Sequence, residues 1–146
     1  MGSVTKKGFL KVQLVFVSKC RYKVFRNQKT LNACMEAFKE VEAHHGIILE
    51  ETTFPENNVH SFANIPPNLS IQKAIQLLKG VASRRIFQAV PNLRKRFPRG
   101  SFWSGYYNYS SVGPQTESVV KEYILNQSEH HHIPDMKQPS LTSFLN

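Results

Sequence analysis

Residues 10 to 16 read Leu-Lys-Val-Gln-Leu-Val-Phe, and their alternation constrains the fold more than any other stretch. Leu10, Val12, Leu14 and Phe16 fall on one side of an extended chain, with Lys11, Gln13 and Val15 on the other. A period of two belongs to a strand. The pattern predicts one from Phe9 to Tyr22, half-buried at its start and more fully buried by Val17. A strand needs partners, and the sequence that follows supplies them in a definite order. Leu31, Met35, Phe38 and Val41 recur at helical spacing, so Asn27 to His45 is predicted as a helix packed on the sheet and stopped by Gly46. Ile47 to Phe54 is a second strand, Pro55-Glu56-Asn57 a turn, and Asn58 to Ile65 a third strand. Pro66-Pro67-Asn68-Leu69-Ser70 ends the sheet and caps a helix running to about Phe87. Ile71, Ala74, Ile75, Leu78 and Ala82 mark its buried face. A basic loop from Pro91 to Gly100 precedes an aromatic strand from Ser101 to Val112. Gly113-Pro114 then leads into a last helix, with Thr116 as its N-cap.

The order strand-helix-strand-strand-helix-strand predicts an α+β, ferredoxin-like (RRM-like) fold. It is an antiparallel four-stranded sheet with two helices on one face, plus an extra C-terminal helix. A chain of 146 residues with 40% hydrophobic content supports one domain, assigned to residues 1–128. Residues 129–146 are polar and contain proline, and are predicted as an extended tail. No apolar run reaches the length of a membrane span, and the N-terminus does not read as a signal peptide. Cys20 and Cys34 form neither a CxxC pair nor a zinc pattern; they fit a reduced, cytoplasmic chain and read as packing residues.

The formal charge is +9, and its distribution says more than its size. From Asn57 to Gln115 there is no Asp or Glu, yet that stretch holds Lys73, Lys79, Arg84, Arg85, Arg94, Lys95, Arg96 and Arg99. A second basic group near the start includes Lys19, Arg21 and Lys23. Such segregation predicts a basic face and a polyanionic partner. Aromatics interleave with it at Phe97, Phe102, Trp103, Tyr106, Tyr107 and Tyr109. Some could stack on unpaired bases, but about half of an alternating strand belongs to the core, and Phe102 is assigned there. Lys19, Arg21, Lys23, Lys79, Arg84, Arg85, Arg94, Lys95, Arg96 and Arg99 are the candidate phosphate contacts; a solvated basic face is the plainer alternative.

Two small constellations could carry chemistry. Tyr123 and Gln127 lie four apart on the last helix and share a face, beside the apolar stripe of Val120 and Ile124. A phenol and a carboxamide there could be a nucleophile next to a metal or phosphate ligand; the plainer reading is a half-buried tyrosine and a surface glutamine. Asn58 and His60 lie two apart on a strand and point to one side. An amide oxygen can ligate magnesium or manganese, and imidazole suits manganese and later metals. Asn58 is the weaker donor of the two, and chance placement is again the plainer reading.

The motifs in their order resemble those of the small single-tyrosine transposases of prokaryotic insertion sequences (TnpA of the IS-two-hundred type), in the His-hydrophobic-His (HUH) nuclease superfamily. The similarity runs from about Val12 to Gln127. It includes Leu14-Val15-Phe16-Val17-Ser18-Lys19, Arg21-Tyr22-Lys23-Val24-Phe25, Ile65-Pro66-Pro67 and Leu78-Lys79-Gly80. It continues through Ser101-Phe102-Trp103-Ser104 and Ser111-Val112-Gly113 to Thr116-Glu117, Tyr123-Ile124 and Asn126-Gln127. The resemblance implies a homodimer that cleaves and rejoins single-stranded DNA at hairpin ends through a covalent phosphotyrosine. It implies Tyr123 as nucleophile and His60 and Gln127 as ligands of Mg2+ or Mn2+, with Asn58 standing where the family has its first histidine. It also implies a cytoplasmic, nucleoid-associated prokaryotic protein, with Tyr123 acting against His60 of the partner subunit, an arrangement that the sequence alone does not show. The Asn58 departure keeps open a cleavage-impaired or domesticated relative that binds hairpin or single-stranded DNA. An RNA-binding module of similar topology is a third reading, which leaves Tyr123 and Gln127 unexplained.

The tail adds one more motif. Gln138, Leu141, Phe144 and Leu145 have the spacing of peptides that bind the ring-shaped sliding clamp of archaea and eukaryotes. One helical turn would bring the three apolar side chains together as a plug, with Gln138 as a polar latch. A frayed tail is the alternative. His130-His131-His132 reads as a solvated or phosphate-facing cluster rather than a metal site.

Overall fold

The computed structural model describes residues 8–111 and 117–130. Its elements follow the predicted order. They are β1 (Leu10–Ser18), α1 (Gln28–His45), β2 (Ile48–Thr53), β3 (Asn58–Ile65), α2 (Ile71–Ala89), β4 (Trp103–Ser111) and α3 (Glu117–His130). The four strands form one sheet in the order β2-β3-β1-β4, antiparallel between all neighbours, which is the ferredoxin-like arrangement.

Helix ends follow local chemistry. Asn27 caps α1 by accepting from the backbone amides of Lys29 and Thr30 at 2.8 and 3.3 Å. Gly46 closes it in the left-handed region, at φ 75°. Ser70 caps α2 by accepting from the Lys73 amide at 3.0 Å.

The main core lies between one face of the sheet and the pair α1 and α2. Val12, Leu14 and Phe16 of β1 meet Cys34, Phe38 and Val41 of α1 and Ala74, Ile75, Leu78, Ala82 and Ile86 of α2. Phe102 is 1% exposed and belongs to this core, as expected of it. The buried face of α1 is rotated from the predicted stripe. Met35 is 40% exposed, and the small residues Ala33, Cys34 and Ala37 face the sheet instead. Small side chains allow α1 to sit close to a sheet already filled by Phe16 and Trp103. Of the two cysteines, Cys34 is a packing residue and Cys20 is exposed.

Strand β1 ends at Ser18, four residues before the predicted limit. Cys20 and Arg21 take left-handed backbone conformations, with φ of 57° and 54°, which no strand can accommodate. The Ser18 hydroxyl closes the turn by donating to the Tyr22 carbonyl at 2.7 Å. The basic segment expected as a loop winds into a short 3-10 helix over Pro91–Arg96.

The opposite face of the sheet is also covered. Phe62 of β3 and Ile124 of α3 bury each other completely. Tyr123 packs there against Phe62 and Ile124 and against Val15 and Val17. All eight residues of β3 are therefore buried, polar ones included. The extra helix makes the domain three layers deep at this point.

Candidate active site and nucleic-acid interface

Strand periodicity puts Asn58, His60, Phe62 and Asn64 on one face of β3. Phe62 touches Ile124, so that face looks toward α3. His60 is 3% exposed and Asn58 4%. The Asn58 amide donates to Asn57 Oδ1 at 2.6 Å, which leaves its own oxygen turned away. Among the described residues, neither Asn58 Oδ1 nor His60 Nδ1 has a hydrogen-bond partner. Buried polar atoms are ordinarily paired, so two neighbouring orphans on one strand face call for a reason. A bound cation would supply one, because an amide oxygen and the Nδ1 of an imidazole protonated at Nε2 each offer a lone pair.

Burial also sets the charge of the imidazole. Desolvation pushes His60 down to about 4, so the ring is neutral at physiological pH. A neutral ring is the form that can ligate a metal. Tyr123 stands beside it, with ring centroids 6.4 Å apart and planes crossed at 66°. The side chain of Gln127 lies outside the described residues. No cluster of three His, Cys, Asp or Glu side chains that could hold a metal ion exists among the described residues.

A transposase family model, described as IS200-like, matches residues 6–127. The chain belongs to the IS200-like transposase family. It is 23% identical over 120 residues to the ISDra2 transposase TnpA of Deinococcus radiodurans, covering 82% of this chain and 85% of that one. It is 24% identical over 119 residues to the IS200 transposase of Salmonella typhimurium, covering 82% and 77%. Its fold is similar to the crystal structure of a transposase candidate from D. radiodurans R1, with a TM-score of 0.65 and 24% identity over 87% of this chain and 95% of that one. It is also similar to a REP-associated tyrosine transposase solved bound to a REP hairpin, with a TM-score of 0.63 and 10% identity over 89% and 74%. DNA transposition is thus the general function, and DNA the partner class.

The basic residues of this transposase separate into three groups. Lys19, Arg96 and Arg99 line a cleft of about 300 Å3 with Tyr22 and Phe97, and the Arg96 guanidinium sits 4.2 Å over the Tyr22 ring. Lys19 also lines an adjoining cleft of about 500 Å3 with Lys79, Ser83 and Gly100. Ser18 pairs with Trp103 and Val17 with Asn58, so these clefts open at the Asn58 end of the sheet. Lys79 donates to the Ser104 carbonyl at 3.3 Å, and partial burial lowers its pKa. The second group is exposed but has partners within the chain. Arg85 donates to Glu40 of α1, holding that carboxyl below its usual range, and Arg84 lies 3.8 Å from the same carboxylate. Arg94 donates to the Phe97 carbonyl at 2.6 Å and covers the Phe87 ring. Arg21, Lys23 and Lys95 form the third group, and all three are exposed.

Sequence reasoning did not single out the polar residues around this site. Gln13, Asn64 and Ser110 are drawn into the layer beneath α3 or beside it, and each carries a buried polar atom without a partner among the described residues. Glu50 and Thr53 of β2 contact Lys121 and Ile124 of α3. The one available signal was Gln13 itself, a carboxamide inside an apolar run.

The imidazole makes a stability prediction. An unfolded histidine titrates near 6.5, whereas folded His60 titrates at about 4. Between those values the unfolded chain holds the extra proton. Stability is complete above pH 6.5 and falls as pH drops through the window, by an amount on the order of 3 kcal/mol at its lower end. Denaturant unfolding in EDTA at pH 7 and pH 4.5 checks this. Wild type should lose more stability than His60→Gln, and equal losses would contradict the assignment.

Proposed function

We propose that this transposase cleaves and rejoins single-stranded DNA at hairpin ends, with Tyr123 as nucleophile and a divalent ion, Mg2+ or Mn2+, at Asn58 and His60. The observation that carries this reading is the Tyr123 ring set against a buried, neutral His60 with an unpartnered ring nitrogen. His60 Nδ1 and Asn58 Oδ1 would hold the ion, with Gln127 as a third donor. When bound, it would neutralise charge growing on the scissile phosphate.

The rest is done by the chain's own groups. Tyr123 Oη attacks phosphorus in line, forming the Tyr–phosphate ester, and the bond to the 3′ oxygen breaks. That oxygen leaves as a 3′ hydroxyl after taking up a proton, and the tyrosine proton passes to solvent or a nearby base. A phenol ordinarily titrates near pH 10 and burial alone raises that value, so a nearby base or the bound cation has to favour the deprotonated form once DNA is bound. The ester retains the energy of the broken bond, so a second 3′ hydroxyl can displace Tyr123 without ATP. Joining two ends needs two sites held together, which a homodimer supplies. The clefts at Lys19, Lys79, Arg96 and Arg99 would carry the strand toward Asn58 by neutralising its phosphates. This would place the protein with nucleoid DNA in a prokaryotic cytoplasm.

Asn58 favours a second reading, a relative that binds hairpin DNA and cleaves poorly. A denaturing gel with single-stranded hairpin DNA and Mn2+ separates the two. A covalent adduct that is lost in Tyr123→Phe supports the first; binding with no adduct supports the second. Asn58→His should raise cleavage about tenfold or more if the amide is a weak ligand, since each decade of rate is about 1.4 kcal/mol. No gain would remove Asn58 from the ligand set.

The C-terminal peptide lies outside the described residues. We propose on its sequence that Gln138, Leu141, Phe144 and Leu145 dock on a sliding clamp, which would bring the enzyme to single strands at replication forks. Calorimetry of peptide 137–146 against an archaeal clamp should give a saturable heat that Phe144→Ala abolishes. No heat would end the proposal.

A further inference from the structure

Strand β2 carries an irregularity that bears on the tyrosine. Leu49 pairs with Ala63 and Thr52 with Ser61, so two residues, Glu50 and Glu51, stand opposite the single residue Phe62. This is a β-bulge. In a regular strand, residues 50 and 53 would face opposite sides of the sheet. The bulge puts both toward α3. The Lys121 ammonium donates to Glu50 Oε1 at 2.7 Å, and the Thr53 hydroxyl donates to the Ile124 carbonyl at 3.2 Å. Asn64 of β3 donates to the other oxygen of Glu50 and so fixes the carboxylate from behind. The Lys121 side chain is 23% exposed and that of Glu50 18%, so water screens the pair only in part. The same ammonium lies 4.9 Å over the Phe62 ring.

These contacts straddle Tyr123. Residues 121 and 124 are three positions apart, just under one helical turn and about 4.5 Å of rise, with the tyrosine between them. The apolar contact of Ile124 on Phe62 supplies attraction but no direction, because burial is not directional. A helix held by that contact alone could slide or rotate, and its tyrosine with it. A carboxylate fixed on a bulge and bonded to Lys121 adds direction.

We infer that Glu50 and Lys121 are positioning residues: their ion pair sets the height and rotation of α3 and so aims Tyr123 at the phosphate beside His60. The inference rests on the reading of Tyr123 as nucleophile. An error of an ångström in the placement of an attacking atom can cost roughly 100-fold in rate. The pair therefore acts on the chemical step and leaves DNA binding alone.

The test uses the full chain, a hairpin oligonucleotide and Mn2+, with adduct formation followed in a single turnover. Glu50→Gln and Lys121→Met should each slow adduct formation roughly 10- to 100-fold, with hairpin affinity within about twofold of wild type. The swap Glu50→Lys with Lys121→Glu should recover much of the loss. Hydrogen exchange should quicken in α3 in the single variants and stay unchanged in β1 and α2. Unchanged rates in both single variants would overturn the inference. So would a loss of rate matched by a loss of affinity, or a folded double swap no faster than the worse single variant. If wild type itself forms no adduct, the nucleophile reading fails separately. The exchange data then decide alone: faster exchange in α3 supports the positioning role, and unchanged exchange overturns it.

Discussion

The packing of Ile124 on Phe62 is the contact on which the site depends. A ferredoxin-like sheet with helices on one face leaves its other face to water. Here α3 lies on that second face and closes it over β2 and β3. Covering the sheet buries side chains that an open face would leave hydrated, among them Asn58, His60 and Asn64. Burial then makes the imidazole neutral, orients Asn58 through Asn57 and brings Tyr123 alongside. One hydrophobic contact creates both the dry environment and the neighbourhood of Tyr123.

The charge of the chain completes the picture at the other scale. The acid-free stretch from Asn57 to Gln115 spans β3, α2 and β4, and its cations do not all act alike. Those near the β1–β4 end line clefts with aromatic walls. Those in the C-terminal third of α2, Arg84 and Arg85, are drawn to Glu40. A positive potential steers a polyanion to the molecule as a whole, but cations not consumed by internal partners are the ones that can grip it. The left-handed turn at Cys20 and Arg21 shapes the cleft, since it reverses the chain just after Lys19.

Much of this was legible in the sequence, for physical reasons that differ by element. The strands and helices announced themselves through period and caps: Asn27, Gly46 and Ser70 act locally and can be read locally. The buried face of α1 could not be read from size alone. Met35 reads as core by spacing, yet Ala33, Cys34 and Ala37 take the buried positions beside Phe38 and Val41, against a sheet already filled by large aromatics. The pairing of Asn58 with His60 on one strand face was a matter of spacing. The burial of that face was not, because it comes from a helix 60 residues later in the chain. Lys121 and Glu50 are 71 residues apart and meet only because β2 bulges, which no pattern in its residues foretold. The roles of the arginines likewise turned on Glu40, a residue of another helix.

The central claim is that Tyr123 rests against His60 of its own chain beneath a docked α3. Isotope-filtered NMR tests it most directly, using full-length protein with labelled and unlabelled chains mixed, at neutral pH, without metal or DNA. The account predicts nuclear Overhauser contacts between the ring protons of Tyr123 and His60 within one chain. Their absence, or their appearance only between chains, would contradict it.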